Sequence, residues 1–162
     1  MVGKREIEVL LRDKKVPFEL VEHEAVWTIE EMRACAITDR GEVAKNLFLR
    51  DYKGRRHFLV VFRSDKEADL KVLAEKLGSS KLSFASPERL KKYLGVAPGA
   101  VTPFGVLNDS CHEVEVVFDQ DLAGGNRVGF HPNVNTATIF LPFEKMAELV
   151  KSHGNKITYL TV

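Results

Sequence analysis

Three stretches of this 162-residue chain hold side chains or backbone able to do chemistry. The first is AKNLFLRD, residues 44–51, where Lys45 opens a run that alternates like a strand. Alternation puts Lys45 on the face of Leu47 and Leu49, so its ammonium either reaches a pocket at the sheet end or snorkels to water. The second is GVAPGAVTPFGVLND, residues 95–109. Gly99 admits backbone conformations closed to other residues, and Pro98 and Pro103 stiffen the segment. Such a loop either presents N–H groups to a developing oxyanion or simply turns the chain from helix to strand. The third is GFHPNVNTAT, residues 129–138. His131 can serve there as acid, base or hydrogen-bond donor, and Asn133, Asn135 and Thr136 add short polar groups. The competing expectation is that Asn and Thr only shape a turn through local bonds to backbone.

The common catalytic patterns are missing: no G-x-S-x-G elbow, P-loop, G-x-G-x-x-G or H-E-x-x-H occurs. The five histidines, at 23, 57, 112, 131 and 153, do not stand at metal-ligand spacing. An enzyme built on this chain is expected to need no metal or cofactor and to work by positioning, backbone donors and a few polar side chains.

The elements that must hold these stretches are legible in the pattern. Residues 3–14 form an amphipathic helix with Ile7, Leu10 and Leu11 on one side, Pro17 ends it, and 18–23 is a short strand. Thr28 and Glu31 have the spacing of a capping box, so a second helix begins there. Residues 44–51 and 56–63 form a hairpin about YKGR, and the second arm, apolar on both faces, is a central strand. Helices follow over 69–78 and 86–95, each with a Gly stop; the second opens on Ser86 and Pro87. Residues 112–119 and 136–141 are strand-like, 142–154 is a helix, and 156–162 closes as a strand. Strands and helices mix without strict alternation, which predicts one α+β domain over residues 1–162.

Composition narrows the partners. With 44% apolar and 29% charged residues the chain is globular rather than disordered, and no apolar run approaches the ~20 residues a bilayer span needs. The charged opening, MVGKREIEVLLRDKK, is not expected to be a signal peptide, and two lone cysteines, Cys35 and Cys111, suit a reduced, cytoplasmic setting. A net charge of +1 is low for gripping a long nucleic acid, so any such contact is expected at one end of a strand, with no DNA and no membrane as partner.

Taken together and in order, AKNLFLRD, GVAPGAVTPFG and GFHPNVNTAT resemble the YbaK/prolyl-tRNA editing family of aminoacyl-tRNA deacylases along nearly the whole chain. The closest resemblance is to its free-standing branch of ProX, PrdX or prolyl-tRNA synthetase-associated domain proteins. That resemblance implies a curved mixed sheet and hydrolysis of mischarged tRNA(Pro), Ala-tRNA(Pro) foremost. It puts the family's lysine on Lys45, with Gly129 and His131 as the other catalytic positions. It puts substrate contacts on Asn46, Gly99, Thr102, Pro103, Phe104, Gly105, Pro132, Asn135 and Thr136. The implied partner is the acceptor end of tRNA(Pro), with prolyl-tRNA synthetase or an elongation factor as candidates to hand it over.

Hydrolysis of an already reactive ester asks for a held substrate, a placed water and a stabilised oxyanion, which suits loops poor in acids and bases. The resemblance suggests that the substrate's 2′-hydroxyl helps activate water, and Lys45 is expected to hold the terminal phosphate or ribose. Alanine is expected to be admitted and proline excluded by size, because missing methylenes are worth only ~1–3 kcal/mol to a synthetase. Val26, Trp27, Ile29 and Met32 are expected either to wall that pocket or to pack as core. Too short for a synthetase core, the chain is expected to act in trans, with Lys4, Arg5, Lys14, Arg55 and Arg56 as possible surface contacts. Two rival readings remain: a non-catalytic sensor of amino acids or aminoacylated ends, and a deacylase of Cys-tRNA(Pro) or Ser-tRNA.

Overall fold

The hairpin about YKGR is the axis of the molecule. In a computed structural model describing residues 1–162, β2 (Glu42–Arg50) and β3 (His57–Arg63) pair antiparallel from Ala44↔Arg63 to Arg50↔His57. Asp51 folds its carboxylate into the turn and accepts the N–H groups of Arg55 and Arg56 at 2.8 and 3.1 Å. Gly54 takes a left-handed φ of 68°, which a side chain would strain. Every residue of β3 but Arg63 is buried, as its two-sided apolar pattern predicts.

The sheet grows from both arms. Beyond β3, β5 (Val114–Asp119) and β8 (Ile157–Leu160) add in parallel. On the other side, β2 meets β6 (Val128–Phe130), then come β7 (Ala137–Leu141) and β1 (Glu19–Glu22), both antiparallel. A two-residue strand, β4 (Ser83–Phe84), pairs with the far end of β2 at Leu49 and Arg50. The result is an eight-stranded mixed sheet in the order β1-β7-β6-β2-β3-β5-β8, with β4 off that path, in an α+β fold.

Helices α1 (Lys4–Asp13), α4 (Pro87–Leu94) and α5 (Phe143–His153) cover one face through Ile7, Leu94 and Phe143. Helix α3 (Leu70–Leu77) covers the other, over Leu49, Phe58 and Phe62. The short α2 (Ile29–Ala34) seals a third, small cluster of Val26, Met32, Ile37, Val43 and Phe140. The end signals work as expected: Thr28 accepts the Glu31 N–H, Ser86 caps α4, and Gly78 and Gly95 stop their helices in the left-handed region; Asp69 adds a cap to α3. No helix is long and apolar enough to cross a membrane.

Strands β4 and β6 and a 3-10 helix over Pro103–Asn108 are not announced by the local pattern. Thr102 caps that helix by accepting the Phe104 N–H, so half of the Gly-Pro loop is regular structure.

Candidate active site where two strands part

A cavity of about 380 Å³ opens because β2 loses a neighbour. Its pairing with β6 lasts only for Glu42↔Val128 and Val43↔Gly129, and β4 does not join until Leu49. Between those points one edge of β2 is bare. Arg63 N–H turns to Asp119 and the Phe48 carbonyl accepts from Ala85 N–H. Alternation along the ladder therefore aims the main-chain N–H and C=O of Asn46 away from β3, into the gap. The Asn46 amide donates to the Ala44 carbonyl at 3.3 Å, and its Oδ1 is buried without a partner.

Lys45 lines the cavity, and its Nζ donates to the Lys66 carbonyl at 3.2 Å. The turn that presents this carbonyl is pinned from below by Asp119, whose side chain is fully buried. Asp119 accepts from Arg63 N–H at 3.3 Å and from Lys66 Nζ at 2.9 Å. Burial alone would raise the Asp119 carboxyl; the Lys66 ammonium and the main-chain N–H groups of Asp121 and Arg63 outweigh it and leave it below its ordinary value.

His131 enters from the loop after β6. Its Nδ1 lies 3.0 Å from the Ala137 carbonyl, an acceptor only, so Nδ1 carries the proton and Nε2 keeps a free lone pair. Burial pushes the imidazole below its ordinary value, helped by His23, whose ring centroid is 6.2 Å away. At neutral pH His131 is thus an uncharged acceptor at the cavity wall. His23 is held in turn by the Glu24 carbonyl at 2.7 Å and Thr138 Oγ1 at 2.9 Å. Sequence reasoning missed it, because nothing local links position 23 to position 131.

Val26, Trp27, Ile29 and Met32 all line the cavity. Val26 and Met32 are also core, so both expectations for these residues hold at once. Trp27 is 62% exposed, and its indole lies against Gly99: a Cβ there would come within 2.4 Å of Trp27 Cε3. Gly99 is therefore the seat of the indole.

The structure does not bring the rest of the expected contacts to the cavity. Thr102, Pro103, Phe104 and Gly105 are buried behind it; Phe104 packs edge-on against Phe130, and a Cβ at Gly105 would meet Leu94 at 2.9 Å. Gly129 is buried in β6, where a Cβ would strike Phe140 and Thr138 at 2.8 and 2.9 Å. Pro132 is buried. Asn135 brackets Val26, its amide donating to the Val26 carbonyl and its carbonyl accepting the Val26 N–H, both at 3.2 Å. The Thr136 carbonyl accepts the His23 N–H. These residues build the walls; Lys45, Asn46, Gly99 and His131 line them. No group of three or more His, Cys, Asp or Glu side chains is placed to hold a metal.

Residues 23–149, which span every wall of this cavity, match the family model described as the aminoacyl-tRNA editing domain. The chain belongs to that family. Among its curated relatives, the prolyl-tRNA editing protein ProX of Acetoanaerobium sticklandii is 51% identical over 96% of this chain and 94% of its own. The prolyl-tRNA synthetase associated domain-containing protein 1 of Danio rerio is 36% identical over 84% of this chain and 74% of its own. A multifunctional Ser/Thr-tRNA deacylase, ProXp-y of Escherichia coli K12, is 33% identical over 94% of this chain and 78% of its own. The fold is shared with a solved structure described as a candidate trans-editing enzyme for prolyl-tRNA synthetase, at a TM-score of 0.74 and 22% identity over 98% of this chain and 96% of that one.

Proposed function

We propose that this chain acts in trans on mischarged tRNA(Pro), hydrolysing the ester to alanine foremost and sparing proline. As a member of the aminoacyl-tRNA editing family it is a hydrolase of aminoacyl-tRNA esters; the tRNA and the amino acid are the proposal. The observation that carries it is one cavity holding a cation, a neutral imidazole and a free strand edge beside an apolar end, with Glu30 its only carboxylate and no Ser or Cys in its lining, where the one hydroxyl, Thr28, is engaged as the cap of α2. That set suits attack by water on a reactive ester better than covalent catalysis.

In this scheme the Lys45 ammonium, tethered but not neutralised by a carbonyl, holds the terminal phosphate or ribose. The main-chain N–H of Asn46 points where a developing oxyanion needs a donor. His131 Nε2 accepts a hydrogen bond from the water or the 2′-hydroxyl. Val26, Ile29 and Met32 close on the side chain of the amino acid. A cavity of about 380 Å³ has room for an aminoacyl group together with part of its ribose. Rejection of proline therefore falls to the shape of the apolar end rather than to total volume. Phosphate and ribose end, ester and side chain then lie in sequence from Lys45 inward.

The test is release of labelled amino acid from Ala-tRNA(Pro), beside Pro-tRNA(Pro), Cys-tRNA(Pro), and Ser- and Thr-tRNA. Alanine is expected to be lost fastest and proline to survive. Lys45→Ala is expected to cost about a hundredfold in rate, the scale of one lost transition-state donor. Full activity in that variant refutes the role of Lys45. Faster loss of serine or threonine moves the substrate toward that of the E. coli relative, and no hydrolysis at all favours a sensor.

A further inference from the structure

At the opposite end of β2 from Lys45 two guanidinium groups converge without an acid between them. Arg50 is held by the carbonyls of Asp51 and Tyr52, at 3.2 and 3.0 Å. Arg89, on α4, is held by the Gly54 carbonyl at 3.3 Å and by His57 Nε2 at 2.9 Å. A Cβ on Gly54 would lie 2.8 Å from Arg89 Nη2 and 2.9 Å from Arg50 Nη2, so the two groups meet over the glycine. Neither forms an ion pair. Of the acids nearby, Asp51 is turned inward on the main chain, Glu115 is held by Arg56 and Lys156, and Glu88, next to Arg89 on α4, pairs with neither arginine. Lys53 and Arg55 stand on the same turn, and Lys92 lies over Tyr93 at 5.1 Å from its ring centroid.

Two adjacent like charges repel, and fixing them by carbonyls rather than carboxylates leaves their donors for an outside anion. The chain as a whole carries only +1, so this end of the hairpin is basic against a nearly neutral background. Arginine pairs in fork geometry suit a phosphodiester.

We propose that Arg50 and Arg89, with Lys53 and Arg55, form a binding surface for the phosphate backbone of the RNA strand whose end occupies the cavity. This rests on the deacylase reading for its partner. Five residues of strand separate Lys45 from Arg50, about 17 Å at 3.3–3.4 Å each, and alternation sets the two side chains on opposite faces of β2, so the RNA strand reaches both by passing around the end of the sheet. That span is on the scale of a few nucleotides of one strand. The surface thus meets the strand a few nucleotides back from the ester, where backbone contacts set register without reading bases.

Binding of an uncharged hairpin RNA that mimics an acceptor stem with its 3′ end tests this apart from catalysis, by fluorescence anisotropy across a salt series. Arg50→Gln is expected to weaken binding about tenfold and to lower the slope of log K against log salt by about 1, the signature of one lost phosphate contact. Arg50→Lys, which keeps a charge, should recover most of the slope. Lys71→Gln, an exposed cation on α3, should leave both unchanged. Since Arg89 also braces His57, Arg89→Lys is compared with Arg50→Gln rather than read alone. Alongside, Arg50→Gln should raise KM for aminoacyl-tRNA and leave hydrolysis of 3′-O-alanyl-adenosine untouched. An unaltered affinity and salt slope in Arg50→Gln, or equal slowing of the small ester, overturns the surface. Intact RNA binding with no hydrolysis of either ester overturns the deacylase reading alone.

Discussion

Gly99→Ala is the substitution that most directly joins backbone, wall and specificity. Gly99 has φ of 89°, where an alanine costs about 1 kcal/mol. The new methyl also falls within 2.4 Å of the Trp27 ring, so the indole has to leave its seat. Trp27 is 62% exposed, and the covered remainder, about 90 Å² of a large aromatic, is worth about 2 kcal/mol at 25 cal/mol/Å². Denaturant unfolding of Gly99→Ala is therefore expected to show a loss of about 3 kcal/mol, against about 1 kcal/mol for the same change in a Trp27→Ala background. The coupling between the two positions is about 2 kcal/mol. The chain has one tryptophan, so its emission reports on this wall alone and should shift to the red in Gly99→Ala. With the wall moved, Pro-tRNA(Pro) should become a better substrate relative to Ala-tRNA(Pro). Equal losses in both backgrounds with unchanged emission would refute the seat. A shifted emission with unchanged discrimination would keep the seat and remove Trp27 from the sieve.

Two other perturbations follow from the same geometry. His57 is fully buried between Phe48 and Tyr93, and burial, with Arg89 next, pushes it down to about 4. The unfolded chain takes up this proton from about pH 6.5 and the folded one only near 4, so stability present above 6.5 is lost as pH falls through that window. Unfolding curves at stepped pH should show the wild type losing about 3 kcal/mol more than His57→Gln over that window, and parallel curves would refute it. Asp119→Asn removes the anion under the turn that offers its carbonyl to Lys45. It should lower kcat by about tenfold to a hundredfold by misplacing the ammonium, and add nothing in a Lys45→Ala background. A further loss in that background would mean that Asp119 acts on the fold and not through Lys45.

What the sequence carries of this fold is mostly local. Thr28 with Glu31, and Ser86 with Pro87 and Gly95, announce helix ends because capping is decided within four residues. The hairpin about YKGR and the two-sided burial of β3 are legible for the same reason. Lys45 falls on the predicted face because alternation along β2 is unbroken. The Gly-Pro loop misleads beyond Gly99, because Pro and Gly specify backbone angles and say nothing of whether a segment faces a cavity or a core. Thr102 to Gly105 obey those angles and are buried under α4. Gly129 likewise marks a place where strands approach closely.

The site itself depends on something no single stretch encodes: how soon β6 leaves β2. Two residue pairs hold them together, and Gly129 sits in the second. Beyond it Pro132 drives His131 to extended backbone and itself has no N–H to continue the ladder. The strand therefore stops, and its departure strips the edge of β2 from Ala44 to Phe48, which exposes the main chain of Asn46. The same departure carries His131 to the rim and leaves a gap that α2 and Trp27 roof over. The G-x-H-P run thus shapes the cavity twice, once by the imidazole it places on the wall and once by the pairing it ends. The second contribution is the larger one for the fold, since without it β2 would be a fully paired interior strand and Lys45 would open onto nothing.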